Sequence, residues 1–168
     1  GIADRTDYDS SRIISAFLKI LTLPSSRLTN IEVLDLLEIP SVARRFQLDE
    51  ADRKIIENWI HKTEIRWEYH GEEKSSRWNL PADNFNTWQF GLDRLLLGYA
   101  IENGFYNNCL AHPISESDSE LLGTLCHVIS LIEQTRGDLS KRYSVADWSD
   151  LLYRIISDFF LPEDREVL

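Results

Sequence analysis

Residues 86–103, which read NTWQFGLDRLLLGYAIEN, constrain the fold more than any other stretch of this 168-residue chain. Their apolar side chains recur at spacings of three and four, which is the period of an α-helix. Thr87 can cap this helix by accepting a bond from a first-turn N–H. Because Phe90 and Leu97 are apolar too, most of the circumference is apolar. We therefore predict a central buried helix over residues 87–102, with neighbours on several sides.

Further helices are indicated by apolar stripes that follow capping residues. Thr29 and Glu32, and likewise Ser117 and Glu120, have the spacing of a capping box, in which each side chain satisfies a free backbone N–H. Helices are expected at about residues 10–23, 29–39, 41–46, 50–62, 117–136 and 145–160, with another beginning near 163. We predict an all-α fold, one compact helical domain over residues 1–168 with about six to eight helices.

Three other segments show no helical pattern. Residues 1–9 are polar and are expected to be extended, and residues 105–113 are expected to be a loop. Residues 63–85 are predicted to be an irregular loop or short strand, because their first side chains alternate polar and apolar without an evident partner strand. Loops of this length are uncommon in compact domains unless they serve a purpose. Packing by Trp67 and Trp78 is favoured over a binding role.

The charge balance limits which partners the chain can bind. It carries 28 acidic and 18 basic residues, a net charge of −10. Affinity for DNA comes mainly from neutralising phosphates with Lys and Arg, and no basic run exceeds a pair such as Arg44–Arg45. We expect weak or no DNA binding by the isolated chain. No apolar run approaches the roughly 18 residues of a membrane span, so no membrane association is expected. The lack of methionine favours a piece of a longer chain.

No catalytic motif is present in the sequence. It has no phosphate-binding glycine loop, GxSxG or HExxH. His61 and His70 lie near several glutamates, but their spacing matches no standard metal site, and a surface contact is favoured. Cys126 and His127 are adjacent, so their side chains diverge by about 100° on a helix. Cys109 and Cys126 are expected to be reduced thiols. We predict no catalytic residue, no cofactor and no metal.

Three stretches of sequence resemble one known protein family. The most specific is FGLDRLLLGYA with NTWQ directly before it. The second comprises IADRT at the start of the chain, then LPSSR and VLDLLEIP. The third is EIRW, followed later by LP. In this order they resemble the RecC family, the gamma subunit of the bacterial RecBCD complex (exodeoxyribonuclease V).

The resemblance implies a position within a larger protein. RecC proteins resemble a superfamily 1 helicase without its ATP-binding motifs, and this chain is similar to the helical module that active relatives insert there, the 2B subdomain. The whole complex is an ATP-dependent exodeoxyribonuclease in the bacterial cytoplasm, acting in double-strand break repair, DNA end processing and Chi-regulated recombination. The implied partners are RecB-like and RecD-like subunits, with DNA reached through the whole complex.

Three classes of function are considered for a chain with this sequence. A non-catalytic scaffold or interaction domain is favoured, and it predicts an exposed apolar or aromatic patch, with Trp67 and Trp78 as candidate contacts. A DNA-contacting module of the strand channel would instead need a folded basic face. The residues available for that face are Arg12, Arg27, Arg44 and Arg45. A small enzyme would need a pocket with converging polar groups, which the spacing does not demand.

Overall fold

The computed structural model describes residues 2–101, 104–106 and 109–165, and the side chains of residues 10–101, 104–106 and 109–164. Within these ranges the chain forms nine α-helices and one hairpin. The helices are α1 (Ile2–Leu21), α2 (Asn30–Leu37), α3 (Pro40–Arg45), α4 (Glu50–Lys62), α5 (Gly71–Trp78), α6 (Trp88–Ile101), α7 (Ser119–Leu139), α8 (Val145–Phe159) and α9 (Pro162–Arg165). The strands are β1 (Phe105–Tyr106) and β2 (Cys109–Leu110), which pair antiparallel. The predicted all-α fold is confirmed, while the described residues form nine helices rather than the expected six to eight.

Side-chain caps start three of these helices where the sequence places them. Thr29 and Glu32 form the reciprocal capping box of α2, and Asp49 does the same with Asp52 at α4. Ser144 accepts a bond from a first-turn N–H of α8. Each cap satisfies backbone donors that have no partner inside the helix, so local chemistry sets these boundaries.

Two predicted helix ends are wrong. Residues 2–9 are helical rather than extended, since α1 begins at Ile2 rather than at Ser10 or Ser11. Adding residues to a nucleated helix gains one hydrogen bond each, so a polar segment can continue it. Ser117 does not cap α7, which begins at Ser119 after a 3₁₀ turn (Glu116–Asp118). The hydroxyl of Ser117 bonds to neighbouring side chains instead.

The largest difference from the sequence prediction is α5, inside the segment expected to be irregular. Glu72 and Glu73 lie in its first turn and Arg77 in its last, so their charges complement the helix dipole. Asn79 ends the helix in the left-handed conformation, with φ of 53°. An eight-residue helix without an apolar stripe is marginal alone, and its stability here comes from tertiary contacts. The spacing of apolar residues within the segment does not predict those tertiary contacts.

The core lies mainly between α1, α2, α4, α6, α7 and α8. Trp88 and Leu95 of α6 are fully buried, which confirms the central buried helix; residue 102, its predicted last residue, lies outside the described residues. The expectation of neighbours on several sides is confirmed, since α7, β2 and residues 63–65 contact α6, although Leu96 and Tyr99 leave part of its circumference exposed. α7 contacts α6, α8 and the 3₁₀ turn Leu23–Ser25. The described helices include none long and apolar enough to cross a membrane.

Gly98 allows the chain after β2 to approach α6 closely. A Cβ atom at Gly98 would lie 1.7 Å from the carbonyl oxygen of His112. The His112 N–H donates to the carbonyl of Arg94 at 2.9 Å, so the two segments are bonded backbone to backbone. The hairpin is thereby held against the second half of α6.

We expect Gly98→Ala to lower the free energy of unfolding by about 1–3 kcal/mol, because the new methyl group overlaps backbone that must shift. Gly123→Ala on α7 is the matched control, since a Cβ atom there meets nothing within 4 Å. This control should gain up to about 1 kcal/mol from the higher helix propensity of alanine. Urea unfolding followed by circular dichroism measures both changes. Equal stability of the two variants would contradict the close approach at Gly98.

Candidate interaction surface

The segment between α4 and α5 is bonded on both sides to other parts of the chain. Asn30 N–H donates to the Arg66 carbonyl at 2.9 Å, and Arg66 N–H donates to the Asn86 carbonyl at 2.9 Å. Glu68 N–H donates to the Arg27 carbonyl at 2.8 Å. The segment is thus neither a free loop nor a regular strand, and its backbone groups are satisfied by two neighbouring turns.

Glu68 directs a carboxylate into the protein from this segment. Its φ is +53°, a left-handed conformation uncommon for a residue with a side chain. The side chain is fully buried, and Trp78 Nε1–H donates to Oε1 at 2.5 Å. Arg136 Nη2–H donates to Oε2 at 2.7 Å. Two charge-assisted bonds therefore compensate the burial of this charge.

Arg136 of α7 joins three parts of the chain. Its side chain is 3% exposed, and besides Glu68 it donates to the Ser26 carbonyl at 3.1 Å and to Glu73 Oε2 at 3.3 Å. Glu133, one helical turn earlier, lies 3.6 Å from Arg136 Nη1. We call Glu68, Glu73, Glu133 and Arg136 the buried charge cluster. Through Arg136 the cluster connects α7, α5 and the segments that precede α2 and α5.

The cluster holds three carboxylates around one buried guanidinium. Burial raises the pKa of Glu68 to about 7, and burial together with the neighbouring Glu73 raises the pKa of Glu133 to about 7. The charge on Glu68 is held by two direct bonds, whereas Glu133 Oε2 is buried without a hydrogen-bond partner. Glu133 is therefore the carboxyl group for which protonation costs least.

Two of the predicted contact residues, Trp67 and Trp78, lie beside this cluster and are brought together by Arg27. The Arg27 guanidinium carbon lies 4.1 Å from the ring centroid of Trp78 and 5.6 Å from that of Trp67. Both rings are half-buried. Such cation–π stacking contributes about 0.5–1 kcal/mol at exposed sites. The tryptophans therefore pack within the chain, as the sequence favours, and each keeps one part accessible.

The other predicted contact residues, Arg44 and Arg45, lie on α3. Arg44 donates to the buried carboxylate of Asp164 at 2.6 Å. Arg45 lies over the Phe46 ring at 5.8 Å and lines an open groove of about 580 Å³. That groove also contains acidic Asp52 and Glu120, so its walls are mixed in charge.

The residues considered for chemistry are used structurally. Among the described residues no cluster of His, Cys, Asp and Glu has the arrangement of a metal site. His127 packs edge-on against Phe46 rather than against Cys126. Burial and the nearby Asp93 raise the pKa of both the Cys109 and the Cys126 thiol, which opposes thiolate chemistry.

An exposed apolar surface lies where the sequence predicts only a loop. The last turns of α6 and the hairpin packed on them expose six large apolar side chains, which we call the hairpin surface. They are Leu96, Tyr99, Ile101, Phe105, Tyr106 and Leu110. The signal was present in the sequence, since Phe-Tyr and Cys-Leu are separated by two residues, Asn-Asn, as in a tight hairpin. The surface does not include Trp67 or Trp78.

A comparison with known protein families identifies the family to which the chain belongs. The profile of the RecBCD enzyme subunit RecC fourth domain matches residues 10–168. The chain belongs to the RecC family. The resemblance recognised in three stretches of the sequence is thereby confirmed for nearly the whole chain. Its likeness to a 2B subdomain stays a prediction.

Individual RecC relatives agree with this assignment. The chain is 36% identical over 163 residues to RecBCD enzyme subunit RecC of Buchnera aphidicola subsp. Acyrthosiphon pisum (strain APS), covering 95% of this chain and 15% of the relative. It is 33% identical over 168 residues to that of Escherichia coli (strain K12), covering 97% and 15%. It is 29% identical over 155 residues to that of Mycobacterium tuberculosis (strain H37Rv), covering 90% and 14%. The chain thus spans about 15% of the length of these relatives.

Arg136→Met should lower the free energy of unfolding by about 3–5 kcal/mol, because it leaves buried carboxylates without their partner. Lys54→Met is the matched control, since Lys54 pairs with Glu50 on the exposed face of α4. The control should change stability by no more than about 0.5 kcal/mol. Urea unfolding at pH 8 measures both. If Arg136→Met lowers the free energy of unfolding as little as the control does, the buried charge cluster does not stabilise the fold.

The raised carboxyl pKa values predict that stability falls with rising pH. Between the ordinary value of 4.5 and about 7, the folded chain holds a proton in the buried charge cluster, mainly on Glu133, that the unfolded chain has lost. The stabilisation from this protonation is complete below pH 4.5 and is lost as pH rises through 7. The urea midpoint should therefore be lower at pH 8 than at pH 6.

Glu133→Gln tests the source of that dependence, since glutamine stays neutral in the same shape. The variant should match or exceed the parent at pH 8 and show a flatter profile between pH 6 and 8. Glu120→Gln, at an exposed position of the same helix, should keep the slope of the parent. An unchanged slope in Glu133→Gln would place the proton elsewhere.

Proposed function

We propose that this chain is a non-catalytic structural and interaction domain of a RecC subunit within a RecBCD complex. The observation that supports the proposal is that the buried charged side chains, and the tryptophans beside them, bond or stack within the chain. Arg136 donates to the Glu68 and Glu73 carboxylates and to the Ser26 carbonyl, and Trp67 and Trp78 stack on one arginine. These groups stabilise the domain rather than present reactive atoms to a substrate. The family match over residues 10–168 supplies the context.

The partners in this proposal are RecB-like and RecD-like subunits, since the relatives are named as RecC subunits of the RecBCD enzyme. The domain would support the path of the DNA strands in a complex that processes DNA ends, repairs double-strand breaks and responds to Chi in the bacterial cytoplasm. Its own contribution is a stable surface that the partner subunits contact.

Direct contact with DNA in the strand channel is the second candidate function. The observation in its favour is the partly exposed stack of Trp67, Arg27 and Trp78, because aromatic rings and arginine planes can stack on bases. Against it, Arg44 is paired with Asp164, and the net charge of −10 repels phosphates.

A retention assay distinguishes these functions. The tagged 168-residue chain is incubated with purified RecB-like and RecD-like subunits from the same organism, and separately with forked DNA, at moderate salt. We expect a subunit to be retained and DNA not to be. An unrelated acidic helical domain with the same tag is the control for non-specific retention.

Retention of DNA without a subunit would overturn the interaction role and favour the strand channel. In that case, binding should weaken steeply with salt, and Trp78→Ala should reduce it about tenfold through loss of stacking. Retention of neither partner would contradict both candidates.

A further inference from the structure

Residues 71–85, which comprise α5 and the turn after it, form a unit with its own internal bonds, and we call this unit the α5 flap. Buried Lys74 donates to Asp83 Oδ1 at 2.8 Å. The Gly71 N–H donates to Asn84 Oδ1 at 2.7 Å. None of the flap residues, all of which the structure describes, belongs to the hydrophobic core. The flap can therefore move away from its neighbours without exposing that core.

Polar bonds attach the flap to the buried charge cluster. Arg136 of α7 donates to Glu73 Oε2 of the flap at 3.3 Å. Trp78, at the end of α5, donates from Nε1 to Glu68 Oε1 at 2.5 Å. Bonds of this kind depend on the charge of their acceptors, whereas apolar packing does not. The attachment of the flap should therefore respond to a change of charge in the cluster.

The charges in and beside the cluster do not balance when every group is ionised. Glu68, Glu73 and Glu133 are negative, against the positive Arg136 and Arg77, whose Nη1 lies 3.8 Å from Glu68 Oε2. One bound proton makes this group of side chains neutral. Its loss leaves a negative charge without a partner at a largely buried site, which is costly.

Glu133 is the group placed to hold that proton. Its Oε2 is buried without a hydrogen-bond partner. The charge of Glu73 and a hydrogen bond with Glu73 both favour the protonated form of Glu133 and raise its pKa. A protonated Glu133 donates to the Glu73 carboxylate and so joins α7 to the flap. An ionised Glu133 has no proton to donate and repels Glu73.

Other titratable groups face the cluster from the neighbouring segments. Tyr69 lies beside Glu133 and is also affected by Asp93 of α6 and Cys126 of α7. Burial raises the pKa of the Tyr69 hydroxyl and of the Cys126 thiol, so both stay neutral between pH 6 and 8. The His70 ring lies edge-on to Tyr69, with centroids 5.7 Å apart. Since histidine side chains commonly titrate in this range, His70 is the alternative source of a pH response.

We propose that the α5 flap is a pH-sensitive switch, which lies closed on α7 while the buried charge cluster holds one proton and opens locally when that proton is lost. The core stays folded in the open form, because the flap contributes no residue to it. Opening hydrates the carboxylates of the cluster and separates the Trp78 ring from Arg27. No partner subunit is needed for this opening, so it is tested separately from the proposed interaction role.

Hydrogen exchange of the 168-residue chain measures the opening, with protection factors corrected for the intrinsic exchange rate at each pH. The Asn79 and Leu80 N–H groups are bonded within the flap, and an eight-residue helix without its contacts is too short to protect them. Their protection should fall about tenfold from pH 6 to 8, because a carboxyl group with a pKa of about 7 in the closed form and 4.5 when exposed loses its proton over this range. Unchanged protection would overturn the switch.

Urea at low concentration separates local opening from unfolding of the whole chain. Exchange of the flap amides should depend little on urea, because opening exposes little surface. Exchange of the Leu95 amide in α6, whose side chain is fully buried, should accelerate with urea. If the flap and α6 amides show equal protection and equal urea dependence at pH 8, the flap opens only when the chain unfolds, and the switch is overturned.

Three variants identify the group that titrates. Glu133→Gln should keep flap protection constant within about twofold between pH 6 and 8, because glutamine does not titrate. Glu120→Gln, at an exposed position of the same helix, and His70→Gln should both retain the change seen in the parent. Circular dichroism should show the same helicity in all variants. A pH response that persists in Glu133→Gln, or that disappears in His70→Gln, would overturn the assignment of the switch to the buried charge cluster.

Discussion

The structure depends on the burial of one guanidinium, that of Arg136, beside the carboxylate of Glu68. An arginine that is 3% exposed must have nearly all of its donors satisfied, and here carboxylates and the Ser26 carbonyl satisfy them. These acceptors come from parts of the chain far apart in sequence. Arg136 therefore ties α7 to α5 and to the segments that precede α2 and α5, which have no regular secondary structure.

In this arrangement, the charged and aromatic residues around α5 and the exposed apolar residues of α6 and the hairpin have different roles. Glu68 faces inward to Arg136, and Trp67 and Trp78 stack on Arg27, so these groups stabilise the domain. Among the large apolar side chains left accessible are six on α6 and the hairpin. A domain organised in this way has rigid internal bonding and an outer surface that can be buried. That is the physical basis for assigning it an interaction role in a RecC subunit.

Local chemistry explains why part of the fold could be predicted. The caps at Thr29, Asp49 and Ser144 set helix starts through bonds between residues three apart, and such spacings are visible in the sequence. α5 could not be found in the same way, because its buried Lys74 is satisfied by Asp83 and the Phe85 carbonyl from the following turn. Its helical form depends on contacts outside its own eight residues.

The sequence by itself determined the all-α class, the buried face of α6 and membership of the RecC family, because periodicity and matching stretches are properties of residue order. Only the tertiary structure decided that Trp67 and Trp78 stack on Arg27, and that Phe105 and Tyr106 remain exposed. The reason is that burial depends on which distant segments meet. A residue order that specifies a helix does not specify which of its faces another part of the chain will cover.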